Sequence, residues 1–241
     1  MQKKALLFLL LATCCAWFPV NAQPPTAQLG MQDMIRLNQV YRMAAYLSFD
    51  VDITYADSTT PGTFTEEMSG LYQIHDGRFR YLLDSTEIVQ GNNYNLVVYH
   101  DDQLIAISKP QAYPDLLNSA NLFDSTYARL YITTVTVNNL SDSVRVLKVS
   151  FKAAQPYSKY EITYDPRTYL LRGLKYYIHD RAVDQVNGSS GTSVVTMKYS
   201  NYSTNVIGEN NFRESKFIYK DGDSFYAQAP YSNFRIVVYS Q

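Results

Sequence analysis

The hydrophobic pattern changes period several times along the chain, and each change marks an element. Met31, Met34, Leu37, Tyr41 and Ala44 recur at helical spacing, with Arg36 and Arg42 among the polar positions. This predicts an amphipathic helix over residues 31–45. From Ser48 the period drops to two. Phe49, Val51, Ile53 and Tyr55 alternate with Asp50, Asp52 and Thr54, the mark of a half-buried strand. Pro61-Gly62 makes a turn, and a strand over 64–74 follows. His75-Asp76-Gly77 closes a hairpin, because Asp-Gly supplies the positive φ of a tight turn, and 78–83 returns. Further strands are predicted at 94–99, 103–108, 131–137, 143–151, 159–164, 170–179, 193–202, 214–219, 225–226 and 234–239. A second helix is predicted over 115–127, and Asn187–Gly191 reads as a flexible hairpin tip.

These elements define a mainly β, α+β chain of about eleven strands with two helices. Most links are short, so neighbouring strands should run antiparallel. A sheet of that length must curl. The expected architecture is an incomplete antiparallel β-barrel whose helices cover the concave face.

The N-terminus changes the picture. Lys3 and Lys4 precede an apolar run from Ala5 to Phe18, and Pro19-Val20-Asn21-Ala22 is a small-residue exit. This is the layout of a secretory signal peptide, too short to span a membrane. Residues 1–22 are therefore read as a signal and 23–241 as a single domain, exported and periplasmic, with association with the outer membrane open. Both cysteines, Cys14 and Cys15, lie in the signal. Cleavage after Ala22 removes them, which excludes disulfides, cysteine metal sites and thiol nucleophiles. In a rival reading one of them is a lipidated N-terminus, although Thr13 stands where Gly or Ala is expected. The whole chain carries a net charge of −1, and cleavage removes two lysines. Nucleic-acid binding, which needs a strong basic patch, is not expected. Twenty-two tyrosines and 11 phenylalanines suit half-buried sheets and the walls of a ligand groove.

Catalytic chemistry finds little support. His75 and His100 fall in turns and His179 ends a strand; none belongs to a ligand pair, and turn histidines of this kind are expected to be solvated. Asp50 and Asp52 share a strand face and could serve as acid and base, but a solvent-facing side is the plainer expectation. Asp221-Gly222-Asp223 lacks the remaining ligands of a calcium loop. There is no G-x-S-x-G elbow, phosphate loop or C-x-x-C pair. No cofactor and no metal are expected, and the chain is read as non-enzymatic. A hydrolase built on buried carboxylates ranks last.

The order of elements carries a resemblance. The helix leads to strand 49–55, then Gly70-Leu71-Tyr72-Gln73-Ile74, then Arg78-Phe79-Arg80-Tyr81. The hairpin 95–99/104–107, the run Tyr160-Glu161-Ile162-Thr163-Tyr164-Asp165-Pro166 before 170–178, and strand 194–202 with 205–212 follow. From about residue 31 to 217 this resembles the LolA-like periplasmic lipoprotein carriers, with 205–212 in the place of a closing hairpin. The resemblance implies a half-barrel with a helical lid and an apolar cavity for acyl chains. Phe49, Val51, Ile53, Tyr55, Phe79 and Tyr81 are the candidate cavity-lining residues. The carriers' arginine in the turn after the Gly strand, implicated in moving the lid, has no counterpart, because His75-Asp76-Gly77 stands there. Residues 219–241 exceed the carriers' length and suggest an added hairpin. The expected function is a carrier that holds an acyl chain, lipid or lipoprotein. The alternative is a non-catalytic interaction subunit of an envelope assembly, with a protein partner.

Overall fold

The computed structural model describes residues 25–60, 62–110, 130–152, 157–180 and 191–239. The signal segment, the helix expected over 115–127 and most of the 187–191 tip lie outside these residues.

Helix α1 spans Pro25–Arg42, starting and ending earlier than its apolar stripe suggested. Six strands follow in a meander: β1 (Leu47–Asp57), β2 (Phe64–His75), β3 (Arg78–Leu83), β4 (Thr86–Gln90), β5 (Asn95–Tyr99) and β6 (Leu104–Ser108). A second meander comprises β7 (Ile132–Ser141), β8 (Val144–Phe151), β9 (Tyr157–Tyr164), β10 (Leu171–Asp180) and β11 (Gly191–Ser203). The two join where β1 pairs antiparallel with β11, Val51 opposite Tyr199. After β11 come 3-10 turns at Glu209–Phe212 and Glu214–Lys216, the hairpin β12 (Ile218–Asp221) and β13 (Ser224–Ala227), and β14 (Arg235–Val238). Strand β14 joins β6 in parallel, Ile236 beside Ile105.

The result is a twelve-stranded sheet, edged by β14 and β7, that does not close on itself. It is an incomplete barrel with α1 against one face. The Asp76-Gly77 turn has the expected left-handed backbone, with φ of 48° and 78°. Strand β4 was not expected. Its entry turn, Asp84-Ser85, carries no glycine, yet Asp84 adopts φ 47°. Aspartate tolerates that region, but sequence alone does not announce it. The strand expected over 214–219 is a 3-10 turn up to Lys216 and strand only from Ile218, and the segment 205–212, expected to close a hairpin with strand 194–202, ends in a 3-10 turn at Glu209–Phe212. Their buried Phe212 and Phe217 are isolated anchors without alternation. The added hairpin after residue 217 is present, as β12–β13.

Cross-strand partners share a face. Phe49, Tyr72, Tyr81, Ile88, Val97 and Ala106 are successive partners across β1–β6, and define the inner face. Residues of β1–β3 on this face join Leu147, Val149, Tyr160, Ile162 and Tyr164 in one large core under Met34, Leu37 and Tyr41 of α1. Over β4–β6 the buried face is the other one. Val89, Leu96, Val98, Ile105 and Ile107 pack outward against Phe217 and Ile218 of the tail. One continuous sheet thus buries opposite faces at its two ends.

Candidate functional site

Asp33 lies on the buried side of α1, and three groups meet its carboxylate. Arg145 donates to Oδ2 at 2.7 Å, the Tyr164 hydroxyl to the same oxygen at 2.5 Å, and the Tyr169 hydroxyl to Oδ1 at 3.1 Å. Arg36 donates to the Tyr169 oxygen at 2.8 Å. Burial, then the neighbouring carboxylate, pushes the Tyr164 hydroxyl well above the ordinary tyrosine range. Tyr169 holds a left-handed backbone, φ 57°, unusual for a bulky residue. These contacts fix the first half of the helix over β8 and β9. Gly30 completes the fit, since a Cβ there would come within 2.5 Å of Val135 on β7.

The second half is held by two tyrosines and the backbone of one residue, Leu171. The Leu171 N–H donates to the Tyr41 oxygen at 2.8 Å. The Tyr202 hydroxyl donates to the Leu171 carbonyl at 2.8 Å. The two hydroxyls lie 2.8 Å apart, so the remaining proton, on Tyr41, donates to Tyr202. The ring of bonds closes with each hydroxyl donating once. It falls where the β9–β10 register shifts, between Leu171 and Gly173. Burial raises both hydroxyls well above the usual range.

Beside this ring, where α1 gives way to β1, lies a depression of about 500 Å³. Val40, Ala44, Ala45, Tyr46 and Leu47 form one wall, and Leu170 and Tyr202 lead into the opposite one with Thr168, Ser203 and Thr204. Phe49 sits beneath, its ring 5.1 Å from that of Tyr202 and 5.7 Å from that of Tyr41.

The six residues expected to line a cavity are brought together on the inner face. Phe49, Val51, Ile53, Phe79 and Tyr81 are buried in the large core, and Tyr55 is half-buried against it. None of the six is among the residues of the depression, which Phe49 approaches from below. Asp50 and Asp52 face outward, as expected, in a polar hollow of about 530 Å³ with Asp84 and Ser69. Asp50 accepts from Asn201, and Asp52 from Ser69. Among the described residues, no group of three or more His, Cys, Asp or Glu could hold a metal ion.

His75 departs from the expectation of a solvated turn residue. Its side chain is 13% exposed. Nδ1 lies 2.6 Å from the Ala45 carbonyl, and Nε2 lies 2.8 Å from Oε1 of Glu209. Its ring stacks on Tyr46 at 4.2 Å. Arg78 grips both oxygens of Glu209, at 2.7 and 3.2 Å. The Arg78 hydrogen bonds, helped by His75, hold the Glu209 carboxyl down at about 2.

Sequence reasoning missed Asp33, the Tyr41–Tyr202 pair and the depression. Asp33 had a signal, since a carboxylate one position from Met34 interrupts the apolar stripe of a helix. The Tyr41–Tyr202 pair had none, because its members lie 161 residues apart.

No protein-family model and no curated protein matches the chain. Similar solved structures include a LolA superfamily protein from Nitrosomonas europaea, 12% identical, covering 80% of this chain and 99% of its own, with a TM-score of 0.34. The lipoprotein LppX of Mycobacterium tuberculosis is 12% identical, covering 75% and 98%, with a TM-score of 0.38. A chain of the Pseudomonas aeruginosa MucA/MucB complex is 16% identical, covering 76% and 60%, with a TM-score of 0.40. A putative outer membrane lipoprotein-sorting protein domain from Vibrio parahaemolyticus is 11% identical, covering 78% and 98%, with a TM-score of 0.37.

Proposed function

We propose that this chain is an exported binding protein of the bacterial envelope that holds an acyl chain, of a lipid or a lipoprotein, between α1 and the inner face of the sheet. The observation that carries this reading is the largely apolar depression between the exit of α1 and β11. Its volume of about 500 Å³ falls within the range of small-molecule sites, about 300–1,000 Å³. It opens above Phe49, the first of the apolar row Phe49, Val51 and Ile53. An acyl chain entering there meets that row as α1 moves outward. Burial of its methylenes contributes about 25 cal/mol per Å². The signal-like N-terminus and the resemblance to lipoprotein carriers agree with such a role.

The test is lipid extraction and mass spectrometry of the protein purified from its native envelope, with binding of an uncharged apolar dye measured in parallel. Acyl-bearing lipid and saturable dye binding are expected. Ala44→Trp, which fills the depression from its wall, should abolish dye binding while the circular dichroism spectrum stays unchanged. Absence of both lipid and dye binding overturns the reading. A stoichiometric protein partner, lost on deletion of residues after Tyr219, would instead favour an assembly subunit.

A further inference from the structure

One histidine ties the helix-side wall of the depression to the 3-10 turn that follows its opposite wall. Ala44, Ala45 and Tyr46 form its helix-side wall, and Ser203 and Thr204 precede the turn that carries Glu209. His75, at the tip of β2, reaches both. Its Nδ1 faces the Ala45 carbonyl and its Nε2 the Glu209 carboxylate. Both partners are acceptors, and satisfying both at once requires both ring nitrogens to donate. Only the imidazolium does that.

We propose that His75 is a proton-operated latch on the mouth of this depression, closed as imidazolium and released when the ring becomes neutral. The inference rests on the binding role proposed above for the same depression. Among the described residues, the charged and titratable groups about the ring are Glu209 from the 3-10 turn, Arg78 from β3, Asp76 from its own hairpin and Tyr46 from the link after α1. Phe212 adds an uncharged ring, 5.7 Å away. Arg78 keeps Glu209 anionic, so Glu209 remains an acceptor throughout the histidine range.

The direction of release follows from the strengths of the two bonds. A neutral ring has one N–H to give. A bond to a carboxylate is roughly twice as strong as one to a neutral acceptor. The ring therefore keeps Nε2–H on Glu209 and turns a bare Nδ1 lone pair toward the Ala45 oxygen, 2.6 Å away. Two lone pairs at that distance repel, and the Ala45 carbonyl moves off. One other backbone tie to this hairpin is the Asp76 N–H to the Ala44 carbonyl, long at 3.3 Å. Raising the pH thus frees the helix-side wall and leaves the Glu209 side attached. Histidine changes charge between about pH 5 and 8, within the range an envelope protein meets.

Hydrogen exchange of the Asp76 amide, whose bond to the Ala44 carbonyl spans the latch, tests it in the full chain without any ligand. After correction for intrinsic rates, protection is expected to fall about tenfold between pH 5.5 and 8, the loss of one charge-assisted bond. His75→Ala should show low protection at both pH values. Glu209→Gln should show high protection at both, because its amide can donate to a neutral Nε2 while Nδ1–H stays on Ala45. Flat protection in the unmodified protein overturns the latch, even if an apolar dye binds. A pH-dependent latch in a protein that binds no dye at either pH upholds the switch and overturns the binding role. If both hold, dye release at pH 8 is faster than at pH 5.5, and the difference disappears in both variants.

Discussion

The two ends of the sheet are covered on opposite faces and by different chemistry. Around α1 the cover is stitched by buried polar bonds: Asp33 to Arg145, Tyr164 and Tyr169, and Tyr41 to Tyr202 and Leu171. Over β4–β6 the tail lies on an aliphatic patch through Phe217 and Ile218, beside the buried Glu87, which pairs with Arg80 at 2.6 Å and lies 3.8 Å from Lys216 of the tail. There Glu214 accepts from the Asn93 and Tyr94 amides at 2.7 and 2.8 Å. Apolar burial is non-directional and tolerates small shifts. A buried carboxylate with three donors tolerates one position only. The helix is thus placed with precision by few buried bonds, beside an apolar depression, whereas the tail is fixed mainly by surface area. Such a helix can leave by breaking a few discrete contacts and return to the same register.

Asp33→Ala should break this comparison most severely. It leaves Arg145 and Tyr164 without their buried partner, at a cost of about 3–5 kcal/mol in chemical denaturation. Exposure of the inner face should follow, seen as increased apolar dye binding. Phe217→Ala, at a fully buried position, should cost about 3 kcal/mol. Half-buried Tyr231 and Phe234 beside it can partly fill the space. Its exchange signature should be confined to residues 209–238, with the Tyr41–Leu171 amide unaffected. If instead both variants expose the whole sheet, the two covers are a single cooperative unit and the contrast fails. Gly30→Ala should be milder. Its Cβ crowds Val135, an overpacking of about 1–3 kcal/mol, offset by roughly 1 kcal/mol of helix propensity.

The period-two strands were legible because one face of each is buried, and a one-residue slip would reverse every side chain. Phe49, Val51, Ile53 and Tyr55 could be placed on one face by alternation alone. Which face is covered at each end could not be read. Leu96 and Val98 alternate as cleanly as Phe49 and Val51, yet they pack on the opposite side. That choice depends on the tail crossing the outer face and joining β6 in parallel, a pairing about 130 residues distant in the chain. Strand β4 hid behind a turn without glycine. The role of His75 was hidden because its partners Ala45 and Glu209 lie 30 and 134 residues away.

The smallest expected effect is an acid one, and it sharpens the contrast from the tail side. Glu209 is drawn down to about 2 from an ordinary 4.5, by Arg78 first and His75 second. A carboxylate with a depressed folded-state value stabilises fully above its unfolded value. That contribution is lost as pH falls through the folded value. The tie of the 209–212 turn to β3 should therefore be intact above about pH 5 and lost progressively as the pH falls toward 2. Glu209 is exposed, so the effect on global stability should be slight. Asp57 and Asp165 are also lowered, by hydrogen bonds from Thr59 and Arg167 within their own turns. A global melt would mix these with Glu161, which Lys159 also lowers, so carboxyl-resolved NMR titration with amide shifts of Asn211 and Phe212 is the appropriate measurement. In Arg78→Gln the Glu209 midpoint should move toward its ordinary value, and the amide shifts of 211–212 should follow it. An unmoved midpoint would mean that Arg78 does not hold the turn. The 209–212 turn would then rest on the burial of Phe212 and the His75 contact to Glu209, without help from Arg78.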